Sequence, residues 1–190
     1  MSAFLSSAVL SLRPIERSDL EQLRQWRNDP ELRQRTREWK ALTSEDQERW
    51  FQRITSQHRH DHMFIVEHQN KALGVIGLCG WDMHNRHAEI SFYIGDSEQR
   101  RKGFMKDALV LLIDWGFNQG LHRIWAETYA FNVPSIKLLE HLGFSHEGKL
   151  RQHVFRNGRF VDSLMMGLLK TEKSNSLAKK FDSAEIDGWQ

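Results

Sequence analysis

Gln99-Arg100-Arg101-Lys102-Gly103-Phe104-Met105 places three cations and a glycine directly ahead of the strongest helical pattern in the chain. The first backbone N–H groups of a helix have no helical acceptor, and the helix dipole is positive there. With flanking cations, and with Gly103 letting the backbone approach closely, such a turn can hold a pyrophosphate. It is not a P-loop, because the GxxxxGKS/T spacing is absent. An earlier basic segment sets Arg33, Arg35, Arg37 and Lys40 against Glu31 and Glu38. If that segment is extended, its three alternate arginines point to one side, a geometry suited to phosphate through forked guanidinium donors, with Trp39 beside them. The bland reading is a solvent-facing charge run. His58-Arg59-His60-Asp61-His62 alternates imidazoles as a metal site would. No partner ligand motif accompanies it, so a solvated loop and no metal are expected.

These groups need a scaffold, and 190 residues with 39% hydrophobic and 27% charged side chains suffice for one folded domain. Its expected extent is residues 1–170, followed by a polar tail over 171–190. A net charge of +2 is no nucleic-acid signature. No apolar stretch approaches the roughly 20 residues of a membrane span, and the first residues lack the basic lead-in of a signal peptide. With Cys79 as the single cysteine, the expectation is a cytoplasmic protein without an internal disulfide or a membrane partner.

Alternation predicts a strand over Val9 to Arg13, and Leu20, Leu23 and Trp26 predict a helix stopped by Asn28-Asp29-Pro30. A loop follows, and Ser44 with Gln47 reads as the capping box of a second helix. Met63 to His68, Ala72 to Trp81 and Ala88 to Ile94 read as a three-stranded meander. Met105, Ala108, Leu109, Leu112, Ile113, Gly116 and Phe117 recur at helical spacing. Arg123 to Tyr129 predicts a strand, Pro134 to Leu142 a short helix, and Asn157-Gly158 a type I′ turn between two last strands. Trp26, Trp50 and Trp115 fall at core positions of their helices. The order of elements is that of a mixed α/β layer structure.

Arg100, Gly103 and Met105 occupy the fixed positions of a motif, Q/R-x-x-G-x-G/A, that resembles motif A of the GNAT acetyltransferase superfamily. Met105 departs from the usual small residue. Asn132-Val133-Pro134-Ser135-Ile136-Lys137-Leu138-Leu139-Glu140-His141-Leu142-Gly143-Phe144 is similar to its motif B, at the right distance downstream. Ala88 to Ile94 resembles the family's fourth strand, and Leu12-Arg13-Pro14 with Asp19-Leu20 its opening. The resemblance spans residues from about 9 to about 170.

It implies a mostly antiparallel central sheet flanked by helices, splayed between the strands at Ala88 to Ile94 and Arg123 to Tyr129. Acetyl-CoA would lie in the splay as acetyl donor. Its pantetheine would pair with backbone near Phe92, Tyr93 and Ile94 and touch Asn132 and Ser135, and its pyrophosphate would cap the turn from Arg100 through Arg101, Lys102, Gly103 and Phe104 to Met105. Amine acetylation needs a proton acceptor. The resemblance points first to Glu89, where relatives often carry an acid, and then to Glu127, five residues before Asn132. Many relatives use a motif-B tyrosine to protonate the leaving thiolate. Leu139 stands there in this chain, so Ser135 or a water is the substitute.

The acceptor is a primary amine of open class. Trp26-Arg27-Asn28-Asp29-Pro30 resembles enzymes that acetylate nucleotide-linked amino sugars, while the second half is similar to the ribosomal-protein N-terminal (RimJ/RimL-like) and polyamine branches. The basic segment disfavours a polyamine. A homodimer, and a non-enzymatic acetyl-CoA-binding module, stand as further readings.

Overall fold

The computed structural model describes residues 3–57 and 60–173. Strands β1 (Leu5–Ser6) and β2 (Ser11–Pro14) form a hairpin whose turn is held by the Ser7 hydroxyl, which accepts from the amides of Val9 and Leu10 at 3.2 Å. The strand expected from Val9 therefore begins two residues later. A 3-10 turn at Arg17–Asp19 leads into helix α1 (Leu20–Asn28), which stops where Asn28-Asp29-Pro30 predicts.

Two local choices differ from the sequence expectation, and both are made by aspartates. Asp29 accepts from the Leu32 amide at 2.9 Å and, with Pro30 in the first turn, starts helix α2 (Pro30–Arg33) in place of an extended loop. Arg33 is thus helical and Arg35 and Arg37 follow in turns, so the three do not share one side. Helix α3 (Ser44–Thr55) is capped by Thr43 with Asp46, not by Ser44 with Gln47. A carboxylate is a stronger acceptor than an amide at the positive end of a helix. Gln47 is buried instead.

The meander forms as β3 (His62–His68), β4 (Lys71–Asp82) and β5 (His87–Ile94). Helix α4 (Phe104–Asn118), strand β6 (Arg123–Tyr129) and helix α5 (Val133–His141) follow. A long hairpin, β7 (Ser145–Arg156) and β8 (Arg159–Leu169), turns at Asn157 and Gly158, both at positive φ as a type I′ turn requires. Residues 170–173 make a helical turn, and the rest of the polar tail lies outside the described residues.

All eight strands join one sheet in the order β1-β2-β3-β4-β5-β6-β8-β7, antiparallel throughout except for β5 beside β6. Strand alternation divides the core between two faces. Phe64, Val66, Ile76, Leu78 and Ile90 pack with Ala108, Leu109, Leu112 and Ile113 of α4, together with Leu139 of α5. Ile65 and Val75 face the other way, against Leu23 of α1 and Ile54 of α3. The expected core tryptophans pack accordingly. Trp26 and Trp50 join the α1–α3 layer, and Trp115 meets Phe4, His62, Phe64 and Trp81 in an aromatic cluster. Among the described residues no helix is long and apolar enough to cross a membrane.

Candidate active site

Strands β5 and β6 pair at His87–Arg123, Ala88–Ile124 and Glu89–Trp125, and then part. Beyond Glu89 the β5 edge from Ile90 to Ile94 has no strand partner on that side among the described residues. The gap is a cavity of about 180 Å³ lined by Ile90, Phe92, Ala126, Thr128, Asn132 and Ser135. It continues one way into a cavity of about 190 Å³ at Arg101 and Met105, and the other way into one of about 840 Å³ beneath α1 and α3. Tyr93 lines all three.

At the Met105 end the available groups are backbone. Gly103 sits at φ 88° and ψ −15°, and a Cβ there would meet nothing within 4 Å. The backbone angle, not lack of space, calls for glycine. The amides of Arg101, Lys102, Gly103, Phe104 and Met105 donate to no backbone acceptor among the described residues. Consecutive free amides gather at the turn that the sequence singles out. The side chains divide. Arg101 and Met105 line the cavity, whereas Lys102 bonds Gln99 Oε1 at 3.1 Å and the Phe104 ring lies 4.7 Å from that of His68. The Arg100 guanidinium is occupied by Glu31 at 2.8 Å and the Ile94 carbonyl at 3.3 Å. Asn132 starts α5 without spending its side chain on a cap, and it and Ser135 line both smaller cavities.

Where the strands part, the two glutamates meet through one arginine. Both Glu89 oxygens accept from Arg37, at 2.8 and 2.5 Å, and Glu127 Oε2 accepts from Arg37 Nη2 at 3.0 Å. The carboxylates are only 13% and 12% exposed. Burial acts to lower the Arg37 pKa, but the bonds and charges of Glu89 and Glu127 outweigh it and hold Arg37 above its ordinary value. It is a permanent cation. Glu127 Oε1 is left outside this clamp, 3.6 Å from His153 Nε2. The three-arginine reading is thereby corrected. Arg33 lines none of these cavities, Arg35 pairs with Glu31 at 3.0 Å and lines the two smaller ones, and Arg37 is spent on carboxylates. Leu139 at the motif-B position is buried against the middle cavity, and the Tyr129 hydroxyl accepts from Arg156 at 3.0 Å.

The largest cavity has Trp39, 64% exposed, at its mouth, with Lys40 Nζ 5.4 Å from the ring centroid. Cys79 also lines it, and burial pushes its thiol up to about 12, which leaves it unionised and inert at neutral pH. His60 Nδ1 is 3.3 Å from the Trp81 carbonyl, and His58 lies outside the described residues. Sequence reasoning missed Arg27, which lines both the middle and the largest cavity. The available signal was its place one turn after core Leu23, on the inward face of α1.

Residues 10–145 match the family model of the acetyltransferase (GNAT) domain. The chain belongs to the GNAT acetyltransferase family. A GNAT relative, the uncharacterized N-acetyltransferase p20 of Bacillus licheniformis, is 44% identical over 102 residues, which is 52% of this chain and 57% of that protein. The chain thus matches little more than half the length of that relative. The spermidine N(1)-acetyltransferase of Vibrio cholerae is 29% identical over 174 residues, 89% of this chain and 98% of that one. A crystal structure of spermidine N-acetyltransferase from Vibrio cholerae, in complex with CoA and spermine, superimposes with a TM-score of 0.81 at 25% identity, covering 88% and 99% of the two chains. The GNAT family uses acetyl-CoA as its donor.

Proposed function

We propose that this protein transfers the acetyl group of acetyl-CoA to a primary amine by direct attack of the amine on the thioester. The carrying observation is the parting of β5 and β6 between an anion turn on one side and a carboxylate pair on the other. The free β5 edge at Phe92, Tyr93 and Ile94 would hold the pantetheine, with Asn132 and Ser135 across the gap, and the amides from Arg101 to Met105 would hold the pyrophosphate. Acetyl-CoA supplies the activated acetyl group.

The chain's residues then manage protons. Glu127 is the stronger base candidate, since its Oε1 is outside the arginine clamp whereas both oxygens of Glu89 are engaged. Its oxygen takes the proton released as the amine nitrogen bonds to the acetyl carbon. Glu89 positions Arg37, which bridges the two carboxylates. The departing sulfur takes a proton from a hydroxyl, either that of Ser135 or that of Tyr93, which burial holds above its usual pKa and therefore protonated at neutral pH.

Thiol release from acetyl-CoA is the direct test, run with polyamines, N-terminal peptides and amino sugars, free and nucleotide-linked. Turnover of at least one amine is expected, and thermal stabilisation by acetyl-CoA without turnover of any would favour a binding module. A polyamine acceptor is the second reading, supported by the full-length similarity to spermidine acetyltransferase. Spermidine turnover exceeding that of every other amine would establish it. A homodimer remains part of the proposal, to be read from mass in solution.

A further inference from the structure

Most arginines that stand against the core of this protein are matched by acceptors. Arg13 has Asp19 and Glu67, Arg37 has Glu89 and Glu127, and Arg100 has Glu31 and the Ile94 carbonyl. Arg27 is different. Its Nε is buried without a hydrogen-bond partner, and the side chain makes no ion pair among the described residues. Its guanidinium carbon lies 5.8 Å from the centroid of the Tyr93 ring, which covers one face of the cation but leaves the N–H edge unanswered. Nε is thus shut off from solvent without an acceptor, and the Nη edge has no side-chain or backbone acceptor among the described residues and opens on the cavity, where a ligand can answer it.

Its position says which ligand. Leu23 anchors α1 on the sheet, and Arg27, one turn later, is brought over β5. Arg27, Arg37, Ser91 and Tyr93 line both the middle and the largest cavity, so Arg27 stands where an amine entering from the large cavity must pass. The remaining charges of that cavity set its sign. Cations Arg27, Arg37, Lys40, Arg49 and Arg53 line it, against carboxylates Glu38, Asp46 and Asp61. Arg37 is held by Glu89 and Glu127, Arg49 by Asp46, and Arg53 stands beside Asp61, so the cations left without a carboxylate partner among the described residues are Arg27 and Lys40, against Glu38. Asp46 is already spent on the α3 cap and Arg49, and Asp61 on the Gly80 amide, with Arg53 3.7 Å away.

We infer that the acceptor carries an oxyanion, a carboxylate or a phosphate, and that Arg27 is the specificity residue that binds it while the amine faces Glu127. This rests on the acetyltransferase reading proposed above and takes the large cavity, which adjoins the carboxylate pair at Arg37, as the acceptor's place. The guanidinium edge offers parallel N–H donors that match either oxyanion, and Trp39, Trp50 and Leu42 give the rest of the acceptor an apolar wall. A polycation would meet the unpaired Arg27 instead of an acceptor.

The experiment uses the full chain saturated with CoA, which fills the pyrophosphate turn and leaves Arg27 to be measured. Calorimetry compares O-phosphoethanolamine with ethanolamine and β-alanine with β-alaninamide, in wild type, Arg27→Met and Arg27→Lys. At least one anionic probe is expected to bind about tenfold or more tighter than its neutral twin, with the difference abolished in Arg27→Met and partly kept in Arg27→Lys. The better twin identifies the oxyanion. Equal binding within both pairs, no binding by either anionic probe, or a difference that survives Arg27→Met would overturn the assignment. Thiol release with acetyl-CoA, run in parallel, separates the two ideas. Anion binding through Arg27 without turnover of any amine sinks the enzymatic reading and leaves Arg27 as an anion site alone, overturning its role toward an acceptor, while turnover of neutral amines unaffected by Arg27→Met sinks this inference and leaves the enzymatic reading standing.

Discussion

At the Gly103 end of the cleft the groups offered to a ligand are amides of consecutive residues, whereas at the Arg27 end they are side chains drawn from α1, the loop before α3, α3 itself, β4 and β5. A backbone site depends on one chain conformation and tolerates changes of side chain, as Met105 in place of a small residue illustrates. A side-chain site depends on several elements packing correctly, and single substitutions redirect it. The donor side is therefore expected to be general and the acceptor side particular.

The sharpest break of this comparison is at the glutamates. Glu127→Gln should lower kcat by about 10²-fold or more while acetyl-CoA affinity stays unchanged, since general-base contributions are of that order. Steady-state kinetics beside calorimetry checks it. A larger loss in Glu89→Gln than in Glu127→Gln would exchange their roles. At the other end, Gly103→Val should weaken acetyl-CoA binding at least tenfold, because a left-handed residue other than glycine costs roughly 1–2 kcal/mol and the turn amides shift to avoid it. Unaltered affinity in the folded variant would remove the backbone site.

The smallest functional effect should come from Asp19→Asn, which touches neither end. Asp19 ties the approach to α1 onto Arg13 of β2, at 2.8 and 2.9 Å. Burial would raise the Asp19 pKa, but the bonds from Arg13 and the Glu16 amide, together with the Arg13 charge, carry it below its ordinary value. Its stabilisation is therefore present above the unfolded carboxylate pKa of about 4 and is lost as pH falls through the lower folded value. Asp19→Asn should cost about 2 kcal/mol near neutrality, with little change in kcat, and should flatten the fall in denaturation midpoint below about pH 4. An unchanged midpoint at neutral pH would mean that Glu67 alone satisfies Arg13.

The same contrast explains what could be read in the residues before any coordinates. Gly103, Asn132 and the helical stripe of α4 carry local signals, and the splayed sheet follows from the two motifs they mark. The acceptor side carries none of that kind. Whether Arg33, Arg35 and Arg37 alternate or coil was decided by one Asp29 cap, and the pairing of Arg37 with carboxylates 52 and 90 residues away has no periodicity to announce it. Arg27 carried only a weak signal, for a related reason. A charged residue one turn after a core leucine usually lies on the rim, and only the arrangement of β5 beneath α1 gives it a ring below and a cavity on either side.

The parting of β5 from β6 also has a mechanical consequence. Among the described residues, three ladder pairs, with the His122 and Arg123 amides donating to the Arg86 carbonyl just before them, form the backbone seam between a five-stranded leaf, β1 to β5, and a three-stranded leaf, β6 with β8 and β7. Arg37, held to Glu89 on one leaf and Glu127 on the other, is a cross-stitch just past the end of that seam. A molecule lying in the open part of the seam shares hydrogen bonds with both leaves. Occupancy should therefore stiffen the joint between them, and backbone amides on both sides of the gap should slow their exchange with solvent together.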